Sequence, residues 1–248
     1  MNKNIIYKSP QISEYYSNNR QNWDDFYDSE KWVFERIAGE KKSLGNILDV
    51  GCACGGLGMA LDKEFTILSY TGIDINNDAI EWARKNCSLT VPSFFIANDV
   101  LDVDIATTYD MVVSLSCADW NIETDDIIEA SWSRLNAGGY FVISLRLTPL
   151  QGINDIRRSY QLINFSGGQR EPEIANYVVF NFKEILLRIK SLKPQFIGTY
   201  GYYGKPSPTA HTPFERLIFA VFYIKKGKGD QKCEDITTEF KLPLNIFL

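Results

Sequence analysis

Short apolar runs and helix-patterned stretches alternate along most of this chain. Runs of strand character fall at residues 47–50, 69–75, 93–97, 109–116 and 140–146, with two more at 195–200 and 214–224. Helical spacing lies between them. One helix follows Leu57; a second runs through Ala79, Ile80, Trp82 and Ala83 behind the caps Asn76 and Asn77. A third, with Thr124 as its expected cap, runs through Ile127, Ile128, Trp132 and Leu135. Asp125 and Asp126 complement the dipole of that third helix, and Gly138-Gly139 provide its stop. Before the first strand, Ser29 is the expected cap of a helix bearing Trp32, Val33, Phe34 and Ile37. Late in the chain, Asn181 is the expected cap of one bearing Ile185, Leu186 and Ile189 on a single face. Strands alternating with helices define an α/β fold with a mostly parallel sheet.

The densest signal is Ile47-Leu48-Asp49-Val50-Gly51-Cys52-Ala53-Cys54-Gly55-Gly56-Leu57-Gly58. An apolar run ends in an acid, breaks into glycines and resumes as a helix. That is a strand, a tight turn and a helix amino terminus, whose free N–H groups suit a nucleotide. Glycine in such a turn tolerates positive φ and lets a ligand reach the backbone. Asp74 ends the next strand, 23 positions after Gly51, near the ~20-residue offset at which an acid meets a ribose in nucleotide-binding βαβ units. A dinucleotide domain remains an alternative on this spacing, although G-x-A-x-G-G-x-G fits its G-x-G-x-x-G fingerprint poorly.

Asp49-Val50-Gly51-Cys52-Ala53-Cys54-Gly55 resembles the D-x-G-x-G-x-G loop of class I S-adenosylmethionine-dependent methyltransferases, with Ala53 at a usual glycine. Leu135-Asn136-Ala137-Gly138-Gly139-Tyr140-Phe141-Val142-Ile143 resembles that family's L-x-P-G-G-x-h-h-h step, with Ala137 at the usual proline. With Asp74 and Asp99 the landmarks keep the family order from Ile47 to Arg146. The resemblance implies a seven-stranded Rossmann-like sheet of order 3-2-1-4-5-7-6, its last strand antiparallel. It implies S-adenosyl-L-methionine as cofactor, held by Asp49, Gly51, Cys52, Ala53 and Gly55 at the turn. Asp74 and Ile75 would meet the ribose, Asp99 and Val100 the adenine edge, and Ser116 the methionine half.

The reaction so implied is in-line methyl transfer to an O or N atom of a small-molecule acceptor. An amine needs no base once neutral, whereas a hydroxyl benefits from one, for which Asp119 and His211 are the candidates. Tyr15, Tyr16, Trp120, Arg146 and Tyr203 are candidate acceptor contacts, Arg146 as the partner of a carboxylate or phosphate. Three segments follow: an amino-terminal arm or lid (1–40), a core (41–226) with a substrate insertion at about 147–180, and a carboxy-terminal tail (227–248). Tyr15, Tyr16 and Trp23 read equally as a lid or as plain packing. The insertion carries Arg157, Arg158 and Arg170 and is either an acceptor-binding segment or a solvated loop.

Composition narrows the partners. The 248 residues are 45% hydrophobic, and 26 Lys and Arg against 31 Asp and Glu give a net charge of −5. An acidic chain does not grip nucleic acid through its overall field. The D/N-P-P-Y/F box of amino-methylating DNA enzymes is missing, since the fourth strand leads into Ser116-Cys117-Ala118-Asp119-Trp120; the Pro-Cys nucleophile of cytosine-C5 enzymes is missing too. No nucleic acid partner is therefore expected. No run reaches the ~20 apolar residues of a membrane span, and the start lacks a signal-peptide core, so neither a membrane partner nor export is expected. Five scattered cysteines, Cys52, Cys54, Cys87, Cys117 and Cys233, suggest reduced thiols in a cytoplasmic protein, and one histidine leaves no zinc set, so no metal is expected. Two alternatives stay open: a degenerate methyltransferase fold serving as a binding or regulatory module, and a methyltransferase acting on a peptide or protein. Nothing in the sequence fixes the oligomeric state.

Overall fold

A computed structural model describes residues 10–104, 106–163, 173–228 and 236–247. Arg170 and Cys233 lie outside the described residues. Five parallel strands form the centre: β1 (Gly45–Val50), β2 (Ile67–Asp74), β3 (Ser93–Ala97), β4 (Tyr109–Ser114) and β5 (Leu135–Thr148). The insertion contributes β6 (Tyr160–Ile163), β7 (Glu173–Asn176) and β8 (Phe180–Asn181). Then come β9 (Phe196–Gly204), β10 (Ala210–His211), β11 (Leu217–Lys225) and β12 (Thr237–Lys241). The main sheet runs β12-β9-β11-β5-β4-β1-β2-β3, with β8 paired to β5 off this path. β11 is antiparallel to both β5 and β9. Stripped of β12 and β8, this is the expected order, with β9 sixth and β11 seventh. The sheet is larger than the seven strands expected, and part of the expected tail, Thr237–Lys241, is an edge strand parallel to β9.

Helices cover both faces: α1 (Pro10–Asn18), α2 (Asp28–Glu40), α3 (Gly56–Glu64), α4 (Asn77–Asn86), α5 (Thr124–Ser133) and α6 (Phe182–Ser191). Two layers of core result. One includes Val112, Phe141, Ile143 and Phe222 with Ile127, Ile185 and Ile189 from α5 and α6. The other includes Ile47, Val113 and Tyr223 with Val33, Phe34 and Ile37 from α2 and Leu61 from α3. Strands buried on both faces explain their unbroken apolar runs. Asn76 Oδ1 accepts Ala79 N–H at 3.1 Å and Asn181 Oδ1 accepts Glu184 N–H at 3.0 Å, so both expected amide caps are made.

Two hydroxyl caps differ from expectation. Ser29 lies inside α2, whose amino terminus is closed by Glu30 Oε2 accepting Tyr27 N–H at 2.9 Å. Thr124 Oγ1 donates instead to the carbonyls of Ala118 and Asn121, tying α5 to the preceding turn. Gly138-Gly139 also falls within β5 rather than after a helix. Gly138 has φ +76°, and its N–H donates to Lys226 O at 2.9 Å, so the glycine pair forms a kinked strand entry beside the end of β11. No helix among the described residues is long and apolar enough to cross a membrane.

Candidate functional site

The carboxyl ends of β1, β2, β4 and β5 open into a cavity of about 920 Å³, roofed by α1 and its following turn and by the insertion. Its floor is the glycine turn. Gly51 and Gly55 take φ of +80° and +75°, and Ala53 takes +46°, so a non-glycine residue holds a left-handed conformation in the turn. Such strain in a residue bearing a Cβ persists only where the surroundings hold it. Here Asp74 does: Oδ2 accepts Ala53 N–H at 2.8 Å while Oδ1 accepts Asn76 N–H at 2.8 Å. A Cβ on Gly51 would stand 2.4 Å from Cys117 Sγ, so only glycine lets the β1 and β4 turns approach.

Asp49, Gly51, Cys52, Ala53, Asp74, Ile75, Asp99, Val100 and Ser116 all line this cavity. Gly55 does not. A Cβ there would meet Cys87 Sγ at 2.7 Å and Phe95 at 2.8 Å, so Gly55 shapes the turn and starts α3 while facing α4 and β3. Asp99 Oδ1 accepts Leu101 N–H at 3.0 Å, combining a turn role with a place on the wall. Ser116 has φ +51° and donates its N–H to Ser144 Oγ at 2.6 Å, linking the ends of β4 and β5.

Electrostatics divides the acids. Asp49 is 3% exposed and receives the Tyr70 hydroxyl at 2.5 Å, yet burial raises its pKa to about 7. Burial also raises Asp74, opposed by its two backbone N–H donors. The thiols are pushed up by burial as well, Cys54 to about 12 and Cys87 to about 11, and Cys52 and Cys117 rise too. None is a ready thiolate, so the cysteines of the turn act through backbone and packing.

The acceptor candidates separate into those the fold brings together and those it does not. Tyr15, Tyr16, Trp120, Asp119 and Arg146 line the cavity. Tyr16 is pushed up to about 12 by burial, with Arg20, Tyr15, Asp74 and Cys117 near enough to act on it. Trp23 instead packs on Phe26, Phe34 and Phe65, with ring centroids 6.2, 6.1 and 5.2 Å away. His211 and Tyr203 are not on the cavity wall. His211 stacks on Tyr160 with centroids 4.8 Å apart, and the Tyr203 ring lies 3.6 Å from Arg216 Cζ while its hydroxyl donates to Asn245 Oδ1. Both were expected at the site because their loop is long and aromatic, but His211 lies in β10, paired with β6 of the insertion, and Tyr203 lies in β9, opposite Ile218 of β11. Arg146 is 3% exposed and already paired, its Nε 2.8 Å from Asp119 Oδ2, so it is not the open anion seat expected from sequence.

Several wall residues carried no sequence signal. Arg20 adopts φ +59°, donates to Glu30 Oε1 at 2.9 Å and lies 4.5 Å over the Phe26 ring. Gln161, Tyr177, Lys205 and Phe219 reach the wall from the insertion, the β9–β11 connection and β11. Glu30 alone was readable in principle, as the acid three residues into a helix that closes its amino terminus.

A parallel sheet whose sixth and seventh strands form an antiparallel end, with a glycine turn and two acids at the β1–β3 edges, is the class I methyltransferase fold. Residues 47–139 match the methyltransferase domain family, over the stretch that carries both motifs. A solved S-adenosylmethionine-dependent methyltransferase from Clostridium acetobutylicum superposes with a TM-score of 0.55 at 15% identity, covering 86% of this chain and 98% of that one. A malonyl-[acyl-carrier protein] O-methyltransferase of Priestia megaterium is 24% identical over 138 residues, 54% of this chain and 50% of its own. A ribosomal RNA small subunit methyltransferase C of Actinobacillus pleuropneumoniae is 31% identical over 101 residues, 38% of this chain and 30% of its own. The chain thus matches half or less of the length of these two curated relatives.

Proposed function

We propose that this protein is an S-adenosylmethionine-dependent methyltransferase acting on an O or N atom of a small-molecule acceptor. The observation that carries the reading is the sharing of one cavity by the glycine turn, Asp74, Asp99 and an aromatic second half. The residues fit the cofactor. Each Asp74 oxygen has given one acceptor site to a backbone N–H, leaving capacity on both for the two ribose hydroxyls. Asp99 and Val100 would hold the adenine edge. The Asp49–Ala53 turn, closed to side chains at Gly51, would hold the methionine and ribose portion through its backbone.

Once bound, the cofactor supplies a methyl group already activated on a sulfonium, so the protein's task is alignment and exclusion of water. Tyr16 and Arg20 roof the turn, and Trp120 and Tyr177 wall the acceptor half. The roof favours a small acceptor over a polynucleotide, in keeping with the acidic net charge. Calorimetry with S-adenosylmethionine and S-adenosylhomocysteine tests the reading: micromolar binding of both is expected. Binding of neither below millimolar would overturn it and favour a binding module built on the same fold.

A further inference from the structure

Four side chains in the second half of the cavity form a unit the cofactor does not need. The Arg146 guanidinium carbon lies 3.6 Å from the Tyr177 ring centroid and 4.5 Å from that of Trp120. Its Nε is 2.8 Å from Asp119 Oδ2, and its Nη2 donates to the Asp119 carbonyl. Oδ2 is the carboxylate oxygen that faces the guanidinium. Oδ1 is buried and has no hydrogen-bond partner among the described residues, in a side chain that lines the cavity.

A buried acceptor atom left without a donor costs free energy, more when it is charged. A ligand that brings a donor recovers that cost, whereas one that brings a second anion meets a guanidinium already matched by a carboxylate and two ring faces. The other lining cation of this half is Lys205, which is exposed and forms no ion pair among the described residues. Trp120, Tyr177, Tyr202 and Phe219 give the wall flat apolar faces, which favour a ring over a flexible chain.

We propose that Asp119 Oδ1 selects the acceptor, so that this half of the cavity takes a small aromatic molecule presenting an O–H or N–H to Asp119 and an anionic group to Lys205. The proposal rests on the methyltransferase reading, which identifies this half as the acceptor's. It assigns Arg146 the task of fixing the carboxylate's orientation rather than of binding substrate.

The test compares 4-hydroxyphenylacetate with 4-methoxyphenylacetate, which keeps ring and carboxylate but lacks the donor, by calorimetry on protein saturated with S-adenosylhomocysteine. The hydroxyl compound is expected to bind at least ten-fold more tightly. In Asp119→Asn the guanidinium, which only donates, claims the amide oxygen and turns the NH2 toward the place of Oδ1. That variant is expected to lose the preference, with S-adenosylhomocysteine affinity unchanged within two-fold as its check on folding. Lys205→Ala is expected to weaken both compounds alike and keep their ratio. Equal affinity of the two compounds for the unmodified protein, or binding of neither, overturns the proposal while the methyltransferase reading stands. Failure of S-adenosylhomocysteine itself to bind overturns both.

Discussion

Asp49 and Asp74 end neighbouring parallel strands, and their partners set them different tasks. Asp74 braces the glycine turn through two backbone N–H donors while facing the cavity. Replacing it by alanine is expected to weaken S-adenosylhomocysteine binding at least ten-fold and lower stability by about 1–2 kcal/mol, the scale of lost hydrogen bonds. A native circular dichroism spectrum with unchanged affinity would refute its ribose role. Asp49 is buried against a single phenol, and its pKa of about 7 lies above the ordinary carboxylate value of 3.8. The folded state therefore binds the proton more tightly than the unfolded chain between those two values. Its contribution falls as pH rises from about 4 to 7, by up to about 1.4 kcal/mol per unit, and is lowest above 7. Asp49→Asn keeps an acceptor for Tyr70 and cannot ionise. Its stability relative to the unmodified protein, measured by urea unfolding, should therefore improve from pH 5 to about 7 and level off above that. A difference independent of pH would show that Asp49 ionises normally.

At the scale of elements, the amino-terminal arm is fitted to the glycine turn by one close approach. A Cβ on Gly56 would lie 2.0 Å from the Arg20 carbonyl oxygen, a backbone atom that moves only if the arm moves. Gly56→Ala sits at the first position of α3, where alanine suits the helix, so the lesion is confined to the contact. Faster tryptic cleavage after Arg20 and several-fold weaker S-adenosylhomocysteine binding are expected. Gly39→Ala, whose Cβ meets nothing within 4 Å, should change neither. Cleavage and affinity unaltered by Gly56→Ala would show that the arm does not roof the site. In the sequence the arm fits a lid and plain packing equally, because aromatic residues serve both. Trp23 fills core and Tyr16 lines the cavity, and nothing in their spacing distinguishes them. Helix starts were legible where an amide caps, at Asn76 and Asn181. They were misread where a hydroxyl stood near the start, because Thr124 found better acceptors in the turn before it.

Across the whole molecule, legibility follows the periodicity of burial. The strands buried on both faces announced themselves, whereas the order from β3 to β11 and the cofactor half of the cavity were legible only through the family resemblance of the Asp49–Gly55 loop and the Leu135–Ile143 step. The acceptor half was largely silent, because Asp119 and Arg146 meet across 27 residues and Tyr177 arrives from an insertion without a repeating pattern. The carboxy-terminal stretch was silent for a similar reason: β12 reads Thr-Thr-Glu-Phe-Lys, an edge strand with little burial. It is nonetheless structural. Glu239 accepts from Tyr223 at 2.8 Å and pairs with Arg36 at 3.1 Å, Phe240 packs on Phe182, and Ile246 is fully buried in the same core layer as α5 and α6. If the stretch were a loosely attached tail, truncating Ile246 would cost little. As a core position it should cost about 2–5 kcal/mol on replacement by alanine, read as a lower urea midpoint with an unchanged slope. Because Ile246 does not line the cavity, S-adenosylhomocysteine affinity in the folded variant should stay within two-fold, separating the support of the sheet edge from the work of the site.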